Sequence, residues 1–126
     1  GFIRRAEKIF LAFYEDLAEY GMNSSFMMQA LHLYLGGLKE VAIIGKRDDP
    51  STKKMLKIIR SQFFPNAVFA FSYEDEAAKK SRDVPLLAEK KITGGKATAY
   101  VCRLGTCLTP VNSSEDLINL LKYEEN

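Results

Sequence analysis

The spacing of apolar residues predicts two helices before the Gly36–Gly37 pair. Residues 2–20 place apolar side chains three or four positions apart, which is the pattern of a helix with one apolar stripe. Gly21 predicts the end of this helix, and Asn23 or Ser24 can cap a second helix that is apolar on almost every side. Two antiparallel helices cannot hide that much apolar surface from each other. The hairpin is therefore expected to end a larger helical array or to form a layer against a following sheet.

After the glycine pair the pattern becomes that of strands alternating with helices. Residues 40–45, EVAIIG, form a continuous apolar run of the kind found in buried parallel strands. An Asp-Pro pair then marks the start of a helix over residues 51–63, and a second strand is expected over residues 67–71. Residues 72–95 are polar and irregular. This order predicts a β-α-β unit followed by a long connection.

The last part of the chain predicts one more strand and one more helix. Residues 97–102 are strand-like, and residues 103–112 are expected to form a loop. Ser113 is placed to cap the last helix, with Asp116 three residues later in the position of a capping box. The leucine-rich run that follows predicts the buried face of that helix.

Together these elements predict an α/β fold in two parts. Residues 1–37 are expected to form a helical hairpin, and residues 38–126 a small α/β domain with the order β-α-β-β-α. The sheet is expected to have three strands and to be mostly parallel, with helices on its faces. We expect the first strand in the middle, because its two partners then lie one on each side.

Composition and charge narrow the class of protein. The 126 residues are 47% hydrophobic and 27% charged, which is typical of a folded domain. A net charge of +2 gives no basic excess of the kind that nucleic-acid binding requires, and no run approaches the roughly 18 to 20 apolar residues of a membrane helix. Two cysteines favour a reducing, cytoplasmic compartment over a disulfide framework.

Cys102 and Cys107 are the first candidate site, with Arg103 beside them. A thiolate at Cys102 next to Arg103, with Cys107 as the resolving thiol, would make a redox pair, because a neighbouring cation favours the thiolate. However, the spacing is C-x4-C and not C-x-x-C, and a cysteine on a buried strand also serves as a small hydrophobic residue. The sequence favours structural thiols and leaves a reversible disulfide and catalysis as alternatives.

The turn after the first strand, GKRDDPST, is the second candidate site. Gly45, Lys46, Ser51 and Thr52 lie where a strand end meets a helix N-terminus, which is a layout that can hold an anion. The turn lacks a dinucleotide or P-loop motif, and its two aspartates put negative charge where a phosphate would lie. An ordinary capped turn is favoured. The single histidine, His32, lies in the apolar second helix and is expected in a core or interface, so we expect neither a metal nor a cofactor.

The apolar helical faces are the third feature with a functional meaning. Either they pack privately on the sheet, or they pack on further helices of a larger chain and are bare when that chain is absent. The second interpretation is favoured, and it predicts a homodimer of the isolated chain. The residues expected at that contact are Phe10, Phe13, Phe26 and Met27.

Three stretches of sequence, GGLKEVAIIG, FFPNAVF and TAYVCRLGTCLTPVNSSEDLINLL, resemble the C-terminal region of a known family. This is the YyaL and spermatogenesis-associated protein 20 family, whose members have a thioredoxin-like domain and a central six-hairpin helical toroid. The resemblance covers roughly the whole chain, and the first two helices look like the final hairpin of the toroid.

The resemblance implies that the chain is part of a parent several times longer. The toroid of the family is similar to sugar epimerases and six-hairpin glycosidases, but the family's activity is not established, and the residues that would carry thiol or sugar chemistry lie upstream of Gly1. We therefore expect a non-catalytic structural domain that closes the toroid and docks other domains, with the rest of the parent chain as its partner. The alternatives are a thiol-redox accessory site at Cys102 and Cys107, or a small-molecule or anion-binding module near Gly45.

Overall fold

A computed structural model describes residues 1–122 of the chain and confirms the α/β class. The chain divides into two compact units, residues 1–37 and residues 38–126. The first unit is helical, and the second unit contains the sheet.

The helical unit contains three α-helices. These are α1 (Phe2–Ala12), α2 (Tyr14–Tyr20) and α3 (Ser25–Gly36), with a 3₁₀ segment at Gly21–Ser24 between the last two. The single helix expected over residues 2–20 is interrupted at Phe13, whose φ of −108° and ψ of 19° leave the helical region. The first predicted helix therefore becomes two shorter helices that meet at this residue.

The helical unit buries little of its apolar surface. Leu17 is its one buried residue, and α3 buries none. The rings of Phe10 and Tyr34 lie 5.6 Å apart, and the Tyr34 hydroxyl donates to Glu7 Oε1 at 2.7 Å, which ties α1 to α3 and raises the pKa of Tyr34. His32, expected in a core or interface, is exposed, so the expectation of a core position is wrong.

The second unit is built on a four-stranded sheet in which only one pair of strands is parallel. The strands are β1 (Lys39–Gly45), β2 (Ala67–Tyr73), β3 (Thr98–Arg103) and β4 (Thr106–Cys107), and their spatial order is β2-β1-β3-β4. β1 is parallel to β2 and antiparallel to β3, and β4 is antiparallel to β3. The place of β1 between β2 and β3 is confirmed, but the prediction of three mostly parallel strands is wrong.

The connection between β2 and β3 leaves β3 antiparallel to its neighbour β1. It contains the seven-residue helix α5 (Glu74–Lys80) and a 3₁₀ segment at Pro85–Leu87, where the sequence suggested irregular structure. Ile44 pairs with both Ser72 and Thr98, so β3 begins at the end of the sheet where β2 ends.

Two longer helices complete the second unit, and both begin at caps that the sequence predicts. They are α4 (Pro50–Ser61) and α6 (Ser114–Lys122). The Asp49 side chain accepts hydrogen bonds from the first amides of α4, and Ser113 Oγ accepts one from the Asp116 N–H at 3.0 Å. These contacts satisfy amide groups that a helix start leaves without partners.

The sheet has a core on each face. Because successive side chains of a strand point to opposite faces, β1 contributes to both. The first core includes residues of α4 and α6: Val41, Ile43, Met55, Ala97, Ala99, Val101, Leu117 and Leu121. The second core lies under α5 and the 3₁₀ segment: Ala42, Ile44, Ala77 and Leu87, with Tyr100 packed against it.

Candidate functional site

The candidate site is a disulfide that joins the two strands of a tight hairpin. Cys102 of β3 and Cys107 of β4 are direct partners in the strand register and are bonded to each other, with Cα atoms 3.8 Å apart. Leu104 and Gly105 form the turn, with φ of 50° and 81°. Two central residues with positive φ are the mark of the type I′ turn, whose twist suits a two-residue hairpin. This hairpin lies in the segment that the sequence suggested was a loop.

The alternation of the strand hydrogen bonds places the two cysteines close together. The Leu108 N–H donates to the Val101 carbonyl at 2.9 Å, so these two residues form a hydrogen-bonded pair. Neighbouring pairs of an antiparallel ladder alternate between hydrogen-bonded and non-hydrogen-bonded types, and the side chains are closer in the second type. Cys102 and Cys107 occupy such a position, and the strand register therefore brings the two sulfur atoms together.

The pairing corrects the interpretation that the sequence favours. The two cysteines are not separate structural thiols in this structure, because they form one disulfide. The two cysteines also differ in exposure, since Cys102 is only 2% exposed and Cys107 is exposed. Arg103 follows Cys102 directly in β3, so its side chain leaves the strand on the opposite face from the disulfide.

A cation that contacts the exposed sulfur comes from a different part of the chain. Lys90 Nζ lies 3.6 Å from Cys107 Sγ and 5.2 Å from the centre of the Tyr100 ring. The Tyr100 hydroxyl donates to the Lys91 carbonyl at 2.7 Å and accepts from the Lys91 N–H at 3.3 Å. Sequence reasoning missed Lys90, because 17 residues separate it from Cys107 and no local motif links the two.

A cavity of about 390 Å³ lies beside the same hairpin. Its lining is mostly apolar and includes Val101, Leu104, Leu108 and Leu120. Lys39 also lines it, and its buried ammonium donates to the carbonyls of Leu120 and Leu121 at 3.1 and 2.9 Å near the end of α6. A positive charge near a helix C-terminus interacts favourably with the helix dipole, so this lysine has a structural role.

The turn after β1 is closely packed, and three of its amides have acceptors within the turn. The Lys46 N–H donates to Thr52 Oγ1 at 3.0 Å, and the N–H groups of Ser51 and Thr52 donate to the Asp49 carboxylate. A Cβ at Gly45 would lie 2.4 Å from Thr52 Cγ2, so only glycine fits there. The hydroxyl of Ser51 is the main cause that lowers the pKa of Asp49.

The basic residue of this turn is also paired. Arg47 contacts Asp75 at 3.4 Å and forms a second ion pair with Glu76, and its guanidinium lies 4.4 Å from the centre of the Tyr73 ring. Lys80 is the main cause that lowers the pKa of Glu76, with Arg47 as a further cause. An anion at Gly45 would have to displace the Asp49 carboxylate from the N–H groups of Ser51 and Thr52. Anion binding at this turn stays a prediction.

The other predicted surfaces are separate from the disulfide. Of the four residues expected at a dimer contact, Phe26 is 86% exposed and Phe13 is exposed, while Phe10 and Met27 are half-buried. Residues 1–122 contain no group of three His, Cys, Asp or Glu side chains that could hold a metal ion. Within the same described range, no helix has the length and apolar character needed to span a bilayer.

Fold and site together define a mixed α/β domain with a cross-strand disulfide at one sheet edge, preceded by a helical unit. The chain belongs to the spermatogenesis-associated protein 20 family. It is 30% identical to the human spermatogenesis-associated protein 20, 27% to the rat protein and 26% to the mouse protein. Each match covers 110 residues, which are 87% of this chain but only 14% of the relative's length. No family model and no solved structure matches the chain.

These matches are compatible with a domain of a larger protein whose activity is not established. The relatives' names state no substrate, reaction or cofactor.

Proposed function

We propose that this chain is an accessory domain of a larger protein and that the Cys102–Cys107 disulfide is its thiol-redox site. The observation that carries the proposal is the position of the bond at an open hairpin, with Cys107 exposed to exchange partners. An exposed disulfide is more readily reduced than a buried structural one. A cytoplasmic, reducing compartment, which the low cysteine content favours, would reduce the pair, and exchange with an external disulfide would oxidise it again.

The hairpin also argues against a purely stabilising role for the bond. A disulfide stabilises mainly by restricting the unfolded chain, and the effect is smallest for short loops. This disulfide spans a sequence separation of five residues. The bond therefore restricts the unfolded chain less than a crosslink over a long loop would.

Cycling the pair with glutathione tests the redox proposal. The chain is reduced and equilibrated in buffers that range from reducing to oxidising glutathione ratios. It is then alkylated in denaturant, so that both cysteines are accessible, and its intact mass gives the number of labels. We expect both cysteines to change together from two labels to none, and to return to two labels when reducing buffer is restored. Oxidation only under a strong oxidant, or two labels that do not return in reducing buffer, would contradict the proposal.

A second proposed function concerns the helical unit, which we place at the end of the helical toroid of the parent protein. Apolar residues that the unit leaves exposed support this proposal, among them Phe2, Leu11, Met22, Phe26 and Leu35. A contiguous apolar surface of several hundred Å² on a folded protein generally marks an interaction site. The occupant we propose is the rest of the parent chain, which would include the thioredoxin-like domain and the other hairpins.

The isolated chain offers a test of this surface. Without the rest of the parent, the contact through Phe10, Phe13, Phe26 and Met27 is expected to form between two copies. Light scattering after size-exclusion chromatography, at two concentrations, should show a concentration-dependent dimer that F26S abolishes. Phe63, 87% exposed in the other unit, gives the matched control F63S, which should still dimerise. A wild-type monomer at both concentrations would contradict the proposal.

A further inference from the structure

We propose that Cys107 is the sulfur that exchanges with an external disulfide, that Lys90 stabilises its thiolate, and that Tyr100 positions Lys90. This assignment rests on the proposed redox function and gives the two cysteines different roles. Cys107 is the attacking thiol, and Cys102 is the resolving thiol, which is the reverse of the order that the sequence suggested.

Access to the two sulfur atoms supports this order. Cys102 is 2% exposed on a central part of the sheet, whereas Cys107 is exposed on the short edge strand β4. Thiol–disulfide exchange requires the attacking sulfur to approach an external sulfur in line with the bond that breaks. Only Cys107 offers that approach in the folded chain.

The charges around the pair favour a thiolate at the same sulfur. Lys90 Nζ is 3.6 Å from Cys107 Sγ, and a cation at that distance stabilises a thiolate. Glu40 is the direct partner of Cys102 in the β1–β3 register, where the Cβ atoms of facing residues are about 5 Å apart. A carboxylate on the same face as Cys102 disfavours a second negative charge there. Arg103 is adjacent in sequence but points to the other face. The negative charge of the reduced pair therefore resides on Cys107.

Tyr100 holds the segment that carries Lys90. Its hydroxyl bonds to both the carbonyl and the N–H of Lys91, and its ring lies under the Lys90 ammonium. Leu87, 2% exposed, anchors the same segment in the second core. These contacts of Tyr100 are with Lys90 and Lys91 and not with the sulfur atoms, so we assign it as a positioning residue.

The exchange balances in two steps. The Cys107 thiolate attacks one sulfur of an external disulfide, forms a mixed disulfide and releases the first external thiolate. The Cys102 thiol then gives its proton to solvent and attacks Cys107 Sγ, which forms the intramolecular bond and releases the second external thiolate. The two cysteines lose two electrons and the external disulfide gains two, with two thiolates and one proton as the other products.

The pH dependence of alkylation tests the role of Lys90. Reduced wild-type chain is treated with iodoacetamide across pH 5 to 10, and the labelled cysteine is located by peptide mass. We expect Cys107 to react first, and K90A to move the midpoint of its profile upward by roughly 0.5 to 1 pH unit. K90R should restore the wild-type profile, Y100F should give part of the K90A shift, and K91A should leave it unchanged, since Lys91 contributes backbone contacts and an exposed side chain.

Single-cysteine chains test the order of attack with oxidised glutathione as the probe. The folded C102S chain should form a glutathione adduct at Cys107, and the folded C107S chain should form none until denaturant is added. First labelling of Cys102, or an unchanged midpoint in K90A, would overturn this assignment. If wild-type chain re-oxidises in glutathione buffer but the midpoint does not move, only the assignment fails. If it does not re-oxidise at all, the proposed redox function fails with it.

Discussion

The ammonium of Lys90 lies 3.6 Å from the sulfur of Cys107, although 17 residues separate them in sequence. This contact joins the segment after the 3₁₀ turn to β4, the outermost strand of the sheet. Tyr100 on β3 contacts the same segment, with its ring against the Lys90 ammonium and its hydroxyl bonded to the Lys91 carbonyl. A disulfide with an exposed sulfur and a fixed cation has the features that favour exchange over simple crosslinking.

Loss of the disulfide is expected to cost little stability. The double variant C102A/C107A should lower the free energy of unfolding by about 2 kcal/mol or less, because the loop it closes is short. Urea unfolding followed by circular dichroism measures this difference against oxidised wild-type chain. As a reference for a structural loss in the same unit, L117A removes a fully buried side chain and should cost about 2 to 5 kcal/mol. A disulfide loss as large as that of L117A would indicate a structural crosslink.

Gly45 is expected to tolerate no side chain. A Cβ there would lie 2.4 Å from Thr52 Cγ2 and 2.6 Å from its Oγ1, so G45A should force the start of α4 away from β1. Overpacking of this kind typically costs about 1 to 3 kcal/mol. The control is G36A, where nothing lies within 4 Å of the added Cβ. Equal urea midpoints for G45A and wild type would show that the turn is looser than this packing indicates.

Asn112 is expected to stabilise the approach to β3. Its Nδ2 donates to the carbonyls of Thr93 and Ala97 at 3.0 and 3.1 Å and to Thr98 Oγ1 at 2.9 Å. N112A should cost about 1 to 3 kcal/mol, because these acceptors, two of them in part-buried hydrogen bonds, lose their donor. N112D should be no better, since an ionised carboxylate cannot donate. N119A, at an exposed position of α6, is the control and should change stability by less than about 0.5 kcal/mol.

Asp49 is expected to make stability depend on pH in the acid range. Hydrogen bonds from Ser51, then from Thr52, lower the pKa of Asp49 from its usual value of 3.8. A carboxyl whose pKa is lower in the folded chain contributes stability above its unfolded pKa, and that contribution is lost as the pH falls through the folded pKa. The stability advantage of wild type over D49N, measured in urea, should therefore shrink below about pH 4. An advantage that stays constant from pH 6 to pH 2 would contradict this role.

Much of the fold follows from local patterns in the sequence. The helix caps at Asp49 and Ser113 and the apolar run of β1 predict their elements correctly, because each depends on residues close in sequence. The direction of β3 does not follow from local patterns, because it depends on the path that the long connection after β2 takes. The helix break at Phe13 is not marked by a proline or a glycine, so the sequence does not predict it.

The candidate site is also predicted only in part from local sequence. Cys102 and Cys107 stand out in the sequence, but their pairing depends on a hairpin whose turn has Leu104 at positive φ, where glycine or asparagine is usual. Lys90 and Glu40 reach the site only through the sheet register and the packing of Tyr100. Arg103, the cation that sequence proximity suggests, lies on the wrong face because strand side chains alternate.

The reduction potential of the Cys102–Cys107 pair tests the central proposal most directly. Intact-mass measurement of alkylated chain, equilibrated over a series of glutathione and dithiothreitol buffers, gives the midpoint of the two-electron couple. A redox site predicts a midpoint between about −280 and −180 mV, within the range of cellular thiol systems. A midpoint below about −300 mV, typical of structural disulfides, would contradict the proposed function.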